Sequence, residues 1–531
     1  MISPRAVIPP VGGRLNDDGV PGTVGELSLA KSTAAWVALV WFIFVWIVGS
    51  LGYIQIRRKY RKPHAQRPPL LAKEADALPF VSILRPVKGL DGFLHTCLSS
   101  TCLLDYPKSK YELIVCIASP HDPAVPVINE IIETFPDVDI RLIIGEEDVG
   151  PNPKIRNMSR GYREAKGDIL WILDSNVWVT PGILARSVRM LEGTDRGGKG
   201  YKLVHHLPVG IDVTAQADQL ASLEAVAIKN SEEHPLLPAQ PVAAAVPFWS
   251  RIWRTGGGRL EENFLSSSHC KMYVAINTVA VASCVVGKSN LFRRSHLNEA
   301  TRNPEHPEKE GILAFADHIC EDHLLSERLW LTKLEEEKAG TRAWSKHGLG
   351  EDLVFQPMGG MRVTDYLARR VRWLRVRKYT LLAAALVEPG TESFLCSLIG
   401  AFAVTTLFPE CCLSLLGRVI YEPSTWVSFG LFWLASVTAW AAVDYELFMF
   451  LHSYRGVEVG KSTPLFVAAG PEAKRGFGPW LAQWVGREAC AFGVWMWGMW
   501  PGEINWRGSR YRIRWKDLKA EEIGRGSGKR D

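Results

Sequence analysis

The chain is poor in cysteine: 531 residues carry ten, scattered, with no CxxC pair. A disulfide framework needs denser cysteine in a shorter chain, so these read as reduced structural thiols. Excess charge is also missing. The formal net charge of +6 is small for this length, and no zinc-finger or RNA-binding motif accompanies it, which leaves no case for a nucleic-acid partner. A third absence is local: no charged residue occurs from Ala34 to Ile56. That stretch is long enough to span a bilayer. It is too long, and too far from the start, for a typical cleaved signal, so it reads as a signal anchor.

What is present fits a membrane enzyme. Arg57, Arg58, Lys59, Arg61 and Lys62 follow the anchor at once. The positive-inside rule places that side in the cytosol and the flexible, Gly- and Pro-rich residues 1–33 in the lumen. Apolar segments at 393–416 and 426–443 predict two more transmembrane helices, with Glu410 near the far end of the first. The stretch 479–500 carries Arg487 and Glu488 in its middle, where a full span is costly, so it predicts a re-entrant or interfacial helix. Residues 506–531 form a basic tail, assigned to the cytosol. Many of the twenty tryptophans lie in or beside these segments, as membrane interfaces favour.

Residues 79–380 between these segments predict an α/β domain. Phe80–Leu84, Tyr111–Ile117, Asp139–Ile144 and Asp168–Leu173 are short, apolar and β-rich. Helical segments around 91–104, 124–135 and 155–166 separate them. That alternation implies a parallel sheet with ligands at the carboxyl ends of its strands. Pro, Gly and Ser clusters at 231–270 and charge at 331–350 predict two insertions.

Four places in this domain carry chemistry. Asp122 follows the second strand, where a carboxylate can meet a nucleoside; Asp-Pro is also a common turn. Asp174, in WILDSNVWV, ends a buried strand, a position suited to holding a divalent cation, Mg2+ or Mn2+, against phosphate oxygens. Asn176 is a weaker second ligand, and a strand-ending turn is the plainer alternative. Asp322, in HICEDHLLSERL, begins a helix; it is a candidate general base or simply a helix-capping acid, and its neighbour Glu321 competes for the role. In RRVRW, Arg369, Arg372 and Trp373 share one helical face, where two guanidiniums can grip a diphosphate beside an indole. A juxtamembrane basic helix is the competing reading. Lys154, rigidly placed in GPNPKIRN, is a lesser phosphate ligand, and His205 in LVHHLP a weaker candidate still.

The order of these residues resembles the D, D, D, (Q/R)xxRW pattern of family-2-type processive and lipid glycosyltransferases. RPVKGLD (85–91), LDYPK (104–108), HDPAVPVI (121–128), IGEEDVGPNPKIRN (144–157), VHHLP (204–208), CEDHLL (320–325) and the WRGSRYRI ending (506–513) are similar to the ceramide glucosyltransferase family. The insertions suggest a divergent, fungal member. The resemblance implies a GT-A fold with transmembrane helices at both ends, a UDP-glucose donor, a ceramide acceptor in the bilayer, and a Golgi or ER membrane with the active site in the cytosol. It assigns Asp322 as the base. It assigns Asp122, Lys154, Asp174, Arg369, Arg372 and Trp373 to the donor, and His205 to the sugar or acceptor site. The sequence departs from the pattern twice. Ser119 and Pro120 stand where the family is often more acidic, and Asn176 replaces the second acid of a DxD, which weakens the case for metal. Two alternatives are a polysaccharide synthase of the chitin, cellulose or hyaluronan kind and an inactive membrane scaffold. Too few spans for a polymer channel, and Arg369 where synthases usually carry Gln, argue against the first.

Overall fold

The computed structural model describes residues 29–61, 77–194, 197–214, 248–408, 425–460, 463–468, 476–506 and 508–524. Within the soluble part, seven strands form one sheet in the order β3-β2-β1-β4-β6-β5-β7. They are β1 (Val81–Val87), β2 (Tyr111–Ile117), β3 (Asp139–Ile144), β4 (Ile169–Leu173), β5 (Tyr201–Asp212), β6 (Ser289–Arg293) and β7 (Ser345–Met358). The helices around them are α2 (Leu94–Cys102), α3 (Val125–Thr134), α4 (Pro153–Glu164), α5 (Ile183–Glu192), α6 (Phe248–Ser266), α7 (Ser268–Val279), α8 (Arg294–Thr301), α9 (Glu321–Leu331) and α10 (Val363–Thr380), with α1 (Leu29–Lys59) ahead of them.

Side-chain alternation explains the layers. On β2, Tyr111, Leu113, Val115 and Ile117 face one core with α2, α3 and α5. Ile114 and Cys116 face the other, with α4, α8 and α9. Strands buried on both faces read as continuous apolar runs, which is why β1, β2 and β4 were visible in the sequence. The sheet is nonetheless mixed. β1 pairs in parallel with β2 and β4, but β6 runs antiparallel between β4 and β5. The chain reaches β6 through α6 and α7, not through a single crossover helix, so the rule favouring parallel neighbours does not apply.

The proposed insertions resolve differently. Of 231–270, residues 231–247 lie outside the described residues, while α6 and α7 are ordered helices. The run Gly256-Gly257-Gly258 does not break α6. A Cβ at Gly257 would stand 2.0 Å from the Arg362 carbonyl oxygen, so glycine permits the helix to pass against that turn. Of 331–350, the part from Ser345 is the start of β7.

By length and composition, α1 and α13 (Thr425–Leu451) are apolar enough to cross a membrane. A third crossing is available if α11 (Leu382–Val387) with its following turn and α12 (Ser393–Leu407), bent by 77°, act as one span. Glu410 and the rest of the 393–416 segment lie outside the described residues, as do residues 1–28. α14 (Phe477–Met499) covers the expected re-entrant segment, and its Arg487 is buried and paired with Glu392 at 2.7 Å. By compactness the chain divides into two units. One comprises residues 1–45 with 395–437, the other 46–394 with 438–531. The described part of the expected tail, with the residues just before it, is folded: β8 (Ile504–Trp506), β9 (Ser509–Ile513) and β10 (Ala520–Ile523) form an antiparallel meander.

Candidate active site

Three adjacent parallel strands deliver the first residues to one edge of the sheet. The loop after β1 carries Gly89 and Asp91, the loop after β2 carries Asp122, and Asp174 follows β4 directly. Asp122 accepts the backbone N–H of Gly89 on both oxygens, at 3.0 and 2.9 Å, and that of Ala124 at 3.0 Å. It therefore shapes the β1 loop as well as its own turn. Arg85, fully buried on β1, donates to the Ser175 and Val177 carbonyls at 3.2 Å and fixes the turn after Asp174. Ser175 in turn donates to Asp91 at 3.1 Å.

Asp174 is the centre of a charge cluster. Lys154 Nζ lies 3.1 Å from Oδ1 and Lys288 Nζ 3.0 Å from Oδ2. Lys288 also donates to Asn176 Oδ1 at 3.1 Å. Burial would raise the Asp174 carboxyl, but the two ammonium groups outweigh it and hold it well below the usual carboxylate range. Lys154 is placed by local chemistry. Asn152 caps α4, accepting from Lys154 N at 2.8 Å and Ile155 N at 3.1 Å, with Pro153 at the first helical position. Lys154 then reaches Glu321 at 3.2 Å. Burial opposes its charge, but Asp174, Glu321 and Asp322 together push its ammonium above the ordinary value.

Glu321 and Asp322 open α9, where the helix dipole favours anions. Their roles separate. Glu321 is buried, paired with Lys154, and accepts from Asn152 Nδ2 at 2.9 Å. Asp322 is half-buried, and among the described residues it accepts one long hydrogen bond, from Cys320 Sγ at 3.8 Å. Its carboxylate lies so close to Gly287 that a Cβ there would stand 2.7 Å from Oδ2. Residues 287 and 288 thus sit between the two key acids.

The RRVRW helix is α10. Arg369 pairs with buried Glu261 at 2.9 Å, and its guanidinium lies 5.0 Å from the Trp373 ring centroid. Its charge reaches Lys288, whose ammonium is lowered first by burial and also by this repulsion. Arg372 and Trp373 are half-buried on the same helix. Arg370 is buried, 3.5 Å over the Phe264 ring.

Two expectations meet a different local chemistry. His205 was assigned to the sugar or acceptor. It lies inside β5 with no exposed surface, its Nδ1 sharing a hydrogen bond of 2.5 Å with the Tyr273 hydroxyl. Burial, then His347, drives its pKa well down. The divalent ion was placed at Asp174 and Asn176. Both oxygen donors instead face ammonium groups. Among the described residues no three His, Cys, Asp or Glu side chains converge as metal ligands do. As arranged, both oxygens are engaged by ammonium groups, and a divalent ion there would need phosphate oxygens and water as its further ligands.

The sequence reading missed Lys288, Gly287, Arg85 and Asn152. Arg85 and Asn152 lie inside the RPVKGLD and IGEEDVGPNPKIRN segments, while Gly287 and Lys288 had only the GKSN turn before an apolar strand as a signal.

Residues 38–248 and 242–519 match the model of glycosyl transferase family 21. A ceramide glucosyltransferase of Pyricularia oryzae is 39% identical over 513 residues, covering 92% of this chain and 95% of the relative. One from Gibberella zeae is 38% identical, covering 89% and 91%. One from Candida albicans is 32% identical, covering 94% and 99%. The chain is an α/β glycosyltransferase with apolar helices at both ends of its catalytic domain, and it belongs to glycosyl transferase family 21.

Proposed function

We propose that the protein transfers glucose from UDP-glucose to the primary hydroxyl of ceramide, with inversion, on the cytosolic face of a Golgi or ER membrane. The observation that carries this reading is the convergence of Asp174, Glu321, Asp322, Lys154 and Lys288 at one sheet edge. It occurs in a chain related to ceramide glucosyltransferases over nearly its whole length.

The step is a single displacement. The ceramide hydroxyl gives its proton to Asp322 as its oxygen attacks the anomeric carbon from the face opposite UDP. The bond from that carbon to the diphosphate oxygen breaks, and its electron pair leaves with UDP. Asp322 suits the base role because it is half-buried and no ammonium group among the described residues pairs with it, whereas Glu321 is held by Lys154 and Asn152. Lys154, Lys288, Arg369 and Arg372 supply positive charge to the leaving diphosphate. Asp122 shapes the donor site through Gly89, and Trp373 offers an apolar wall. A bare alcohol is a weak nucleophile, so alignment of the bilayer-held acceptor contributes much of the rate.

The test incubates membranes carrying the protein with UDP-glucose or UDP-galactose and ceramide, and identifies the lipid product. Glucosylceramide is the expected product. Galactosylceramide alone would overturn the donor assignment, and a polymer would overturn the acceptor assignment.

A further inference from the structure

Lys288 occupies the position at which the sequence placed a metal. The strand register puts it there. β4 and β6 pair antiparallel with Leu173 opposite Ser289, and the Asp174 N–H donates to the Lys288 carbonyl at 3.0 Å. Lys288 therefore stands across from Asp174 at the carboxyl end of β4. Its ammonium contacts both side-chain oxygens assigned to the ion, Asp174 Oδ2 at 3.0 Å and Asn176 Oδ1 at 3.1 Å. Lys154 covers the other carboxylate oxygen at 3.1 Å.

We propose that Lys288, together with Lys154, is a built-in cation that binds the diphosphate of the sugar donor and stabilises it as it leaves, in place of a divalent ion. The proposal rests on the glycosyl-transfer reading. An ammonium group has three N–H donors. Lys288 spends one on Asp174 and one on Asn176, and the third has no acceptor among the described residues. The cluster is open enough for a ligand: Asp174 keeps 25% of its side-chain surface exposed and Lys154 15%. Lys288 keeps 9%, so it is anchored by its surroundings and its charge is fixed in place before the donor arrives. Asn176 fits this arrangement better than a second aspartate would. A neutral amide oxygen orients the ammonium, whereas a second carboxylate would compete with the phosphate for it. A metal ion reaching both oxygens would have to displace a nearly buried lysine.

UDP binding by the purified full-length protein, followed by titration calorimetry, tests this. For the wild type, the affinity in EDTA and in Mn2+ or Mg2+ should agree within about threefold. Lys288→Met should weaken UDP about ten- to a hundredfold in EDTA, as loss of a charge-assisted hydrogen bond does. Mn2+ should then restore part of the loss, because Asp174 and Asn176 are released. Lys288→Gln, which still donates to Asp174, serves if the methionine variant does not fold. Wild-type binding that collapses in EDTA and returns with Mn2+ would overturn the proposal, as would metal-free binding by the variants equal to wild type. The same preparations are given UDP-glucose and ceramide. Wild type that binds UDP without metal but makes no glycolipid leaves the lysine assignment standing and removes the functional reading instead.

Discussion

Asp322 and Glu321 are adjacent in sequence yet differ in every contact that matters, and this difference sets the sharpest mutational expectation. Asp322→Asn should leave UDP affinity nearly intact and lower turnover by at least about 100-fold, because an amide cannot take the acceptor's proton. Glu321→Gln should affect turnover less and UDP affinity more, since it loosens Lys154. Measuring donor affinity and turnover for both decides the assignment; the reverse pattern would make Glu321 the base. Gly287 gives a second expectation at this scale. An added methyl group would meet Asp322 Oδ2 at 2.7 Å and must move it. Gly287→Ala should therefore lower turnover about ten- to a hundredfold with the fold retained, which circular dichroism alongside kinetics would show. Unchanged turnover would mean that Asp322 is not held where the geometry places it. Asp174 stood out in the sequence because it ends an apolar strand, and Asp322 because an acidic pair opens a helical segment. Lys288 was not, because its partner Asp174 lies 114 residues away and a lone lysine carries no periodic signal.

The C-terminal meander shows an element acting on the site from outside it. Ala520 N donates to the Asp317 carbonyl at 2.8 Å, and His318 Nδ1 donates to the Leu518 carbonyl at 3.0 Å. Lys519 pairs with Asp317 at 3.2 Å. Ile319 packs with Tyr511 and Ile513 in the same small core. The segment leading into Glu321 and Asp322 is thus clamped between the meander and Asn152, which donates to the His318 carbonyl at 2.6 Å. His318→Ala should lower turnover about fivefold, the scale of one hydrogen bond, with UDP affinity unchanged. Equal losses in both quantities would point to general destabilisation instead. The sequence showed only basic character here. Strands this short have no readable alternation, and their pairing depends on the core they cover.

Across the larger unit, buried polar contacts join α13 and α14 to the catalytic fold. Lys271 on α7 pairs with Asp444 on α13, which also accepts Trp484 Nε1 of α14 at 2.9 Å. Both charged side chains are buried, and Lys271 Nζ lies 4.4 Å from the Trp440 ring centroid. Lys271→Met strands a buried carboxylate and should cost about 3–5 kcal/mol, seen as lower thermal stability in detergent. Adding Asp444→Leu should recover much of it. No recovery would show that the pair is not coupled as the contacts imply. Orientation is tested in sealed vesicles. The basic cluster at the end of α1 predicts that added protease reaches the catalytic domain, and a protected domain would reverse the topology.

The sequence alone determined the alternating strands and helices, the first anchor, and the chain order of acids and RxxRW. These are local or periodic features, and burial on both sheet faces writes them as apolar runs. Only the tertiary structure decided what surrounds each acid. The antiparallel entry of β6 brings Gly287 and Lys288 between Asp174 and the start of α9. It also withdraws His205 into the sheet, and the folded C-terminus becomes a clamp on the loop before Asp322. Contacts between residues a hundred or more positions apart carry no sequence period. Their chemistry exists only once packing has set the distances.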